Sequence, residues 1–87
     1  MFIRIQRSLA KQKNYDCIID MQNGKIESLY DDQLKKHTLT YSSNISDSST
    51  DLGYFNTADK AVKAIQYIYE QLVTKGSEIC IVPEDDF

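Results

Sequence analysis

The chain is poor in the residues on which most small enzymes and metal proteins depend. It contains no tryptophan, one histidine, His37, and two cysteines, Cys17 and Cys80. A metal site needs several such ligands at close spacing, so we expect no metal and no cofactor. The three glycines form no phosphate-binding loop, and His37 has no neighbour that would make it a catalytic base. We therefore expect a protein that is not an enzyme.

Long apolar runs are also absent. No stretch reaches the roughly 18 apolar residues that a membrane-spanning helix needs, and residues 1–5 lack the pattern of a signal peptide. We expect a cytoplasmic protein whose two cysteines are buried, reduced thiols. The 87 residues, 41% of them hydrophobic and 26% charged, predict a single thin domain over 1–82 and an acidic tail over 83–87.

The clearest positive pattern is a helical stripe within residues 56–76. Its apolar members recur at helical spacing: Ala58, Ala61, Val62, Ile65, Ile68, Tyr69 and Leu72. The stripe predicts one long α-helix over residues 57–75 that buries one side. Asn56 or Thr57 is suited to the N-cap, and Gly76 to the position just after the helix.

Alternating segments predict strands on both sides of this helix. They cover residues 2–7, 15–21, 26–30, 38–42 and 78–82. Asn23 and Gly24 favour a type I′ turn, which would join 15–21 and 26–30 as a hairpin. The predicted class is α+β: a small antiparallel sheet of four to five strands, with the helix on one face and a short final strand after it.

The predicted hairpin has an acidic face. Its register places Asp20 opposite Glu27, with Asp16 beside them, and this acidic patch is suited to a basic partner. The simpler interpretation is a solvated face whose acids meet nearby bases. Ile18 and Leu29 share that face, so a homodimer through it is a further possibility. The other face carries the residues expected in the core: Tyr15, Cys17, Ile19, Met21, Ile26 and Tyr30.

The outward strip of the predicted helix is a candidate protein-binding surface. Tyr67 interrupts its polar side between Lys63 and Glu70. An exposed aromatic residue on a rigid helix is a common anchor of protein interfaces. The alternative is an isolated surface tyrosine, which needs no functional explanation.

The last five residues, PEDDF, are a second candidate for binding a partner. They resemble the acidic, phenylalanine-terminated tip of bacterial and phage single-stranded-DNA-binding proteins, which docks into basic pockets on partner proteins. The resemblance covers these five residues and implies partner contacts by Glu84, Asp85, Asp86 and Phe87. The alternative is a solubilising tail without a partner.

Basic residues are concentrated at the other end of the chain. Residues 1–13 carry Arg4, Arg7, Lys11 and Lys13 and no acid, although the net charge of the whole chain is −3. This cluster would allow contacts to phosphate groups, so a nucleic-acid-binding module is one hypothesis. The simpler interpretation is ordinary surface charge.

The favoured hypothesis is a small, non-catalytic protein-binding module. The composition, rich in Lys, Asn, Ile, Tyr, Ser and Asp, is typical of accessory proteins of low-GC bacteria and their phages or plasmids. We expect an accessory or inhibitor protein of a phage or mobile element that acts on a host protein through an acidic and aromatic surface. Nucleic-acid binding through the basic N-terminal segment is the alternative.

Overall fold

The computed structural model describes residues 2–21, 24–44, 49–76 and 78–85. The elements within these ranges are β1 (Phe2–Arg4), α1 (Arg7–Lys13), β2 (Ile18–Asp20), β3 (Gly24–Asp31), β4 (Lys36–Ser43), β5 (Ser49–Phe55), α2 (Ala58–Tyr69) and β6 (Ile79–Ile81). A π-helical segment, Glu70–Thr74, continues α2 without a break. The α+β class, the long helix and the final strand after it are confirmed.

The strands form two sheets of three rather than one continuous sheet. The small sheet has the order β2-β1-β6, with β1 antiparallel to β2 and parallel to β6. The large sheet is the antiparallel meander β3-β4-β5, and α2 packs across it. Both sheets and α2 therefore share one hydrophobic core.

The core is built from both sheets and the long helix. Its buried residues are Ile3, Ile5, Leu39, Tyr41, Leu52, Phe55, Ala61, Ala64, Ile68, Cys80 and Val82. Because strand side chains alternate between faces, Ile3 and Cys80 point inward, and their neighbours along β1 and β6 point outward. The small sheet thus packs one face against the core, and the side chains on its other face are exposed.

The predicted hairpin between residues 15–21 and 26–30 is wrong. β2 pairs with β1, which places Asp20 opposite Phe2, whereas β3 pairs with β4, which places Glu27 opposite Thr40. Asn23, the first central residue of the predicted turn, lies outside the described residues. The Asn-Gly signal is local, and pairing partners that are distant in sequence decided the register instead.

Several side chains face differently from the prediction. Tyr15, Tyr30 and Tyr69 were expected in the core, and each is more than half exposed. Residues 8–14 lie between two of the predicted strands and were assigned to no element, and most of them belong to α1. Leu9 of this short helix is buried and Ala10 packs against the core, and two adjacent apolar residues in a polar stretch give no periodicity to detect.

The ends of α2 follow the sequence prediction closely. The side-chain oxygen of Thr57 accepts a hydrogen bond of 3.2 Å from the backbone N–H of Lys60, which identifies Thr57 as the N-cap. Gly76 has φ +67°, the left-handed conformation that favours glycine after a helix. Between them, the π-helical turn closes through a bond of 2.8 Å from the N–H of Lys75 to the carbonyl of Glu70.

Gln6 joins the two sheets. Its backbone N–H donates to the carbonyl of Leu52 at 2.7 Å, near the irregularity where β5 slips against β4. Its side-chain amide donates to the carbonyls of Tyr54 and Pro83 at 3.2 and 3.0 Å and accepts from the N–H of Tyr54 at 3.0 Å. Gln6 is 1% exposed, so these bonds satisfy a buried amide and three backbone groups of half-buried residues.

Candidate protein-binding face and basic groove

The side of the small sheet away from the core is unusually apolar. Its four apolar residues, here called the outer face, are Phe2, Ile18, Ile79 and Ile81, and they are between 40% and 57% exposed. The strand register brings them together: Phe2 lies beside Ile79, while Ile18 and Ile81 flank Arg4. Four half-exposed apolar side chains therefore cover most of one face of a three-stranded sheet.

This composition differs from that of an ordinary solvent-facing sheet. Antiparallel sheets with one buried face usually present polar residues on the other. Scattered exposed apolar residues are common, whereas a contiguous group of this kind marks an interaction surface. The polar positions on the same side of the sheet are Arg4 and Asp20, one on each of two neighbouring strands.

Arg4 is held in place by Asp16. Its Nη2 donates to Oδ2 of Asp16 at 2.6 Å and its Nε donates to the same oxygen at 3.2 Å. The hydrogen bond from Arg4, with the smaller effect of its charge, holds the pKa of the Asp16 carboxyl below its usual range. The same ion pair raises the pKa of the Arg4 guanidinium, so both groups are charged at neutral pH.

A groove beside the outer face gathers most of the N-terminal bases. It encloses about 640 Å³. Its basic and aromatic residues, here called the basic groove, are Arg4, Arg7, Lys11 and Tyr15, and Asp16 is the one carboxylate in its lining. The remaining lining comes from Ile5, Ala10, Asn14 and Ile81. Three of the four bases that the sequence singled out therefore lie around one concave surface.

The fourth base, Lys13, lies on another side of α1. Its ammonium group is 3.2 Å from Oδ2 of Asp51 in β5 and 5.8 Å from the centre of the Tyr54 ring. The hydrogen bonds to Asp51 and to the Tyr54 hydroxyl raise the pKa of Lys13. Lys13 thus ties α1 to the large sheet, and it does not line the basic groove.

The three carboxylates of the predicted acidic patch do not share a hairpin. Asp16 pairs with Arg4, Asp20 lies in β2 of the small sheet, and Glu27 lies in β3 of the large sheet. The Nζ of Lys25, two residues away on the same strand, is 3.7 Å from Oε2 of Glu27. The predicted opposition of Asp20 and Glu27 is wrong because the hairpin that produced it does not form.

The predicted helix strip is exposed to solvent, whereas the described part of the tail is hydrogen-bonded to the rest of the protein. Lys63, Tyr67 and Glu70 are exposed on α2 and its extension, and Tyr67 is 44% exposed. In the tail, Oε2 of Glu84 accepts from the N–H of Ser8 at 3.4 Å. The tail prediction also names Asp86 and Phe87, which lie outside the described residues.

Asp85 connects the tail to the start of α2. Its Oδ1 accepts from the N–H of Asn56 at 3.2 Å, and the ammonium group of Lys60 donates to its backbone carbonyl at 2.8 Å. A carboxylate is favoured here because the N-terminal end of a helix carries partial positive charge. Residues 83–85 therefore pack against the domain, and docking onto a partner would first have to release them.

The remaining reactive side chains do not converge. Cys17 is a half-buried free thiol, and burial raises the pKa of the buried free thiol of Cys80. His37 stacks at a tilt on Tyr30, with ring centres 5.1 Å apart. In the part of the chain that the structure describes, no group of three or more His, Cys, Asp or Glu residues is placed to hold a metal ion. Across the same ranges, no helix is long and apolar enough to span a membrane.

Comparison with known proteins adds no relative to these observations. No protein family, no curated protein and no solved structure matches this chain. Of the outer-face residues, only Ile18 was singled out from the sequence, as a possible dimer contact beside Leu29, although the alternation of Ile79, Cys80 and Ile81 contained a signal. Alternation shows that neighbouring residues face opposite ways, but only the pairing with β1 shows that both isoleucines face solvent.

Proposed function

We propose that this protein is a small, non-catalytic protein-binding module that binds its partner through the outer face. The observation that carries the proposal is the group of four half-exposed apolar side chains on one side of the small sheet, of which Phe2, Ile79 and Ile81 are direct neighbours. Burial of such a group stabilises a complex by roughly 25 cal/mol for each Å² of apolar surface removed from water. The composition favours an accessory or inhibitor protein of a phage or mobile element, whose partner would be a host protein.

The charges around the outer face support a particular kind of partner. Asp20 lies beside Phe2 at one end of the sheet, and Glu78 immediately precedes Ile79 at the same end. Arg4, at the other end, is already paired with Asp16. A partner with an apolar centre and lysine or arginine next to it would complement this arrangement. We therefore propose a protein partner that places its basic residues at the Asp20 end.

The helix strip formed by Lys63, Tyr67 and Glu70 is the competing surface. Its single exposed aromatic residue is flanked by charges, whereas the outer face combines four apolar residues on three adjacent strands. Interface cores are depleted in charged residues, so the outer face is the better centre for an interface. Glu84 and Asp85 already bond to the domain, which makes them weaker candidates for the primary contact.

Site-specific photocrosslinking in cells of the source organism tests the proposal. A photoreactive phenylalanine analogue replaces Ile79 on the outer face, Tyr67 on the helix strip, or Val73 as an equally exposed apolar control. We expect a discrete crosslinked product from position 79, which weakens when Asp20→Lys reverses the charge at that end. Positions 67 and 73 should give no such product.

Each other outcome contradicts a stated part of the proposal. A product from position 67 alone would assign binding to the helix strip. A product with the mass of two copies of this chain would make the partner a second copy. If all three positions gave only equal background crosslinking, the result would contradict protein binding through the outer face.

A further inference from the structure

We propose that the basic groove is a second binding site, for a nucleotide unit that is either a free nucleotide or part of a single strand. This ligand class goes beyond the proposed protein partner. The groove adjoins the outer face at Ile81, but its Arg7, Lys11 and Tyr15 are not part of that face. The groove combines the two features that recognise such a unit: convergent cations for the phosphate and an exposed aromatic ring for the base.

Two of the cations lie close together on one helix. Arg7 and Lys11 are four residues apart on α1, so their side chains lie on the same face of the helix. Neither forms an ion pair with any residue in the described ranges. Like charges at this spacing repel, and a bound anion between them would relieve the repulsion.

Arg4 adds a third cation whose direction is fixed. Its Nε and Nη2 donate hydrogen bonds to Asp16, which is the one acid of the groove. The lining therefore carries three cations and one carboxylate, a local excess of positive charge on a chain whose net charge is −3. An anionic ligand is attracted to this groove and repelled by much of the remaining surface.

Tyr15 provides the aromatic surface beside these cations. It is 56% exposed, although its backbone is fixed: its N–H donates to the carbonyl of Ala10 at 3.0 Å. The preceding residue, Asn14, ends α1 with φ +51°, a left-handed conformation that turns the chain at this point. An aromatic ring on a hydrogen-bonded backbone and open to solvent suits stacking on a base.

The volume of the groove agrees with a ligand of this size. About 640 Å³ lies within the usual range of roughly 300–1,000 Å³ for small-molecule sites. A free nucleotide and one unit of a single strand present the same phosphate and base. A single strand extends beyond the groove and can contact additional cations, whereas a free nucleotide cannot. Binding experiments can therefore distinguish the two ligands.

Fluorescence anisotropy at low salt measures the binding. The probes are labelled oligodeoxythymidylate, an abasic oligomer of the same length, and an oligoglutamate of the same charge, and thymidine monophosphate is the competitor. We expect the first probe to bind more tightly than the other two. Competition by the monophosphate at comparable concentration would identify a free nucleotide as the source, and failure to compete would identify the single strand.

Paired variants distinguish binding at the groove from non-specific attraction to positive charge elsewhere on the protein. Arg7→Ala with Lys11→Ala should weaken binding and reduce the slope of log affinity against log salt by about 1.4, or roughly 0.7 for each phosphate that the two cations would otherwise neutralise. Lys63→Ala with Lys75→Ala removes the same charge from α2 and its C-terminal end, and it should leave the slope unchanged. Equal losses of affinity in both double variants would overturn the proposal.

The stacking contribution has its own matched pair. Tyr15→Ala should weaken binding about five- to one-hundred-fold, while Tyr15→Phe keeps the ring and most of the affinity. Tyr30→Ala, at a similarly exposed tyrosine of β3, is the control and should have no effect. Circular dichroism of each variant establishes that it is folded.

Two results would overturn the assignment. The first is equal affinity for the abasic oligomer or the oligoglutamate, which would reduce the groove to a general anion site. The second is no binding of any probe at low salt. Neither result affects the crosslinking expected from Ile79, so the failure of this inference is distinguishable from failure of the proposed function.

Discussion

Gln6 is the residue on which the arrangement of the two sheets depends most. It follows β1 closely, and its amide bonds to the backbone of Tyr54 and of Pro83. Nothing in the sequence distinguishes this glutamine from the others, because its importance arises only when three segments distant in sequence meet around it. Buried polar groups of this kind specify one packing arrangement when all of their bonds are made.

Replacing Gln6 with leucine should lower the free energy of unfolding by about 3 kcal/mol. The substitution leaves the N–H and carbonyl of Tyr54 and the carbonyl of Pro83 without their partner. Urea denaturation followed by circular dichroism measures the change. Gln66→Leu, at an exposed position of α2, is the control and should change stability by less than about 0.5 kcal/mol. Similar values for the two variants would contradict the bridging role.

The ion pair between Arg4 and Asp16 predicts a titration. The folded pKa of Asp16 lies below the ordinary value of 3.8, so the pair stabilises the fold above that value, and the benefit is lost as the pH falls through the folded pKa. Carbon-13 NMR of the carboxyl group measures the pKa directly. In Arg4→Gln it should rise towards 3.8. An unchanged pKa in that variant would show that Arg4 is not the cause.

At the scale of single elements, local signals predicted what local forces determine. The periodicity, the N-cap and Gly76 predicted α2 because a helix is built from contacts within one segment. The hairpin prediction failed because strand pairing is set by the whole core, which places β1 between β2 and β6. The helix α1 was missed because its two apolar residues, Leu9 and Ala10, are adjacent and give no periodicity.

Removing the cap of α2 tests the local part of this account. Thr57→Ala deletes the oxygen that accepts the N–H of Lys60, and it should lower the free energy of unfolding by about 1 kcal/mol. Thr74→Ala, in the exposed C-terminal extension, is the matched control, with an expected change below about 0.5 kcal/mol. Thermal unfolding of both variants gives the comparison. A cap variant as stable as the control would mean that Asn56 caps the helix instead.

At the scale of the whole molecule, the functional surfaces were only partly predictable. Arg4, Arg7 and Lys11 were recognisable as a basic cluster, but the turn after α1 was needed to bring Tyr15 beside them. The outer face was not recognisable, because Phe2, Ile18 and Ile79 come from three strands that are far apart in sequence. A surface assembled in this way leaves no motif in any single segment.

The outer face should contribute to binding without contributing much to folding. Half-exposed side chains have little of their area in the core, so Phe2→Thr with Ile18→Thr should change the free energy of unfolding by less than about 1 kcal/mol. Threonine retains the preference for strand, so the small sheet should persist. Leu39→Ala, which opens a cavity in the core, is the contrast and should cost about 3 kcal/mol.

The most direct measurement is the yield of the crosslink from position 79 in the Phe2→Thr and Ile18→Thr background. Removing two apolar side chains from the outer face should reduce the yield about tenfold or more, while the variant unfolds at nearly the same urea concentration as the parent. That combination would establish the outer face as a binding surface rather than part of the folding core. An undiminished yield from the stable variant would contradict the central claim.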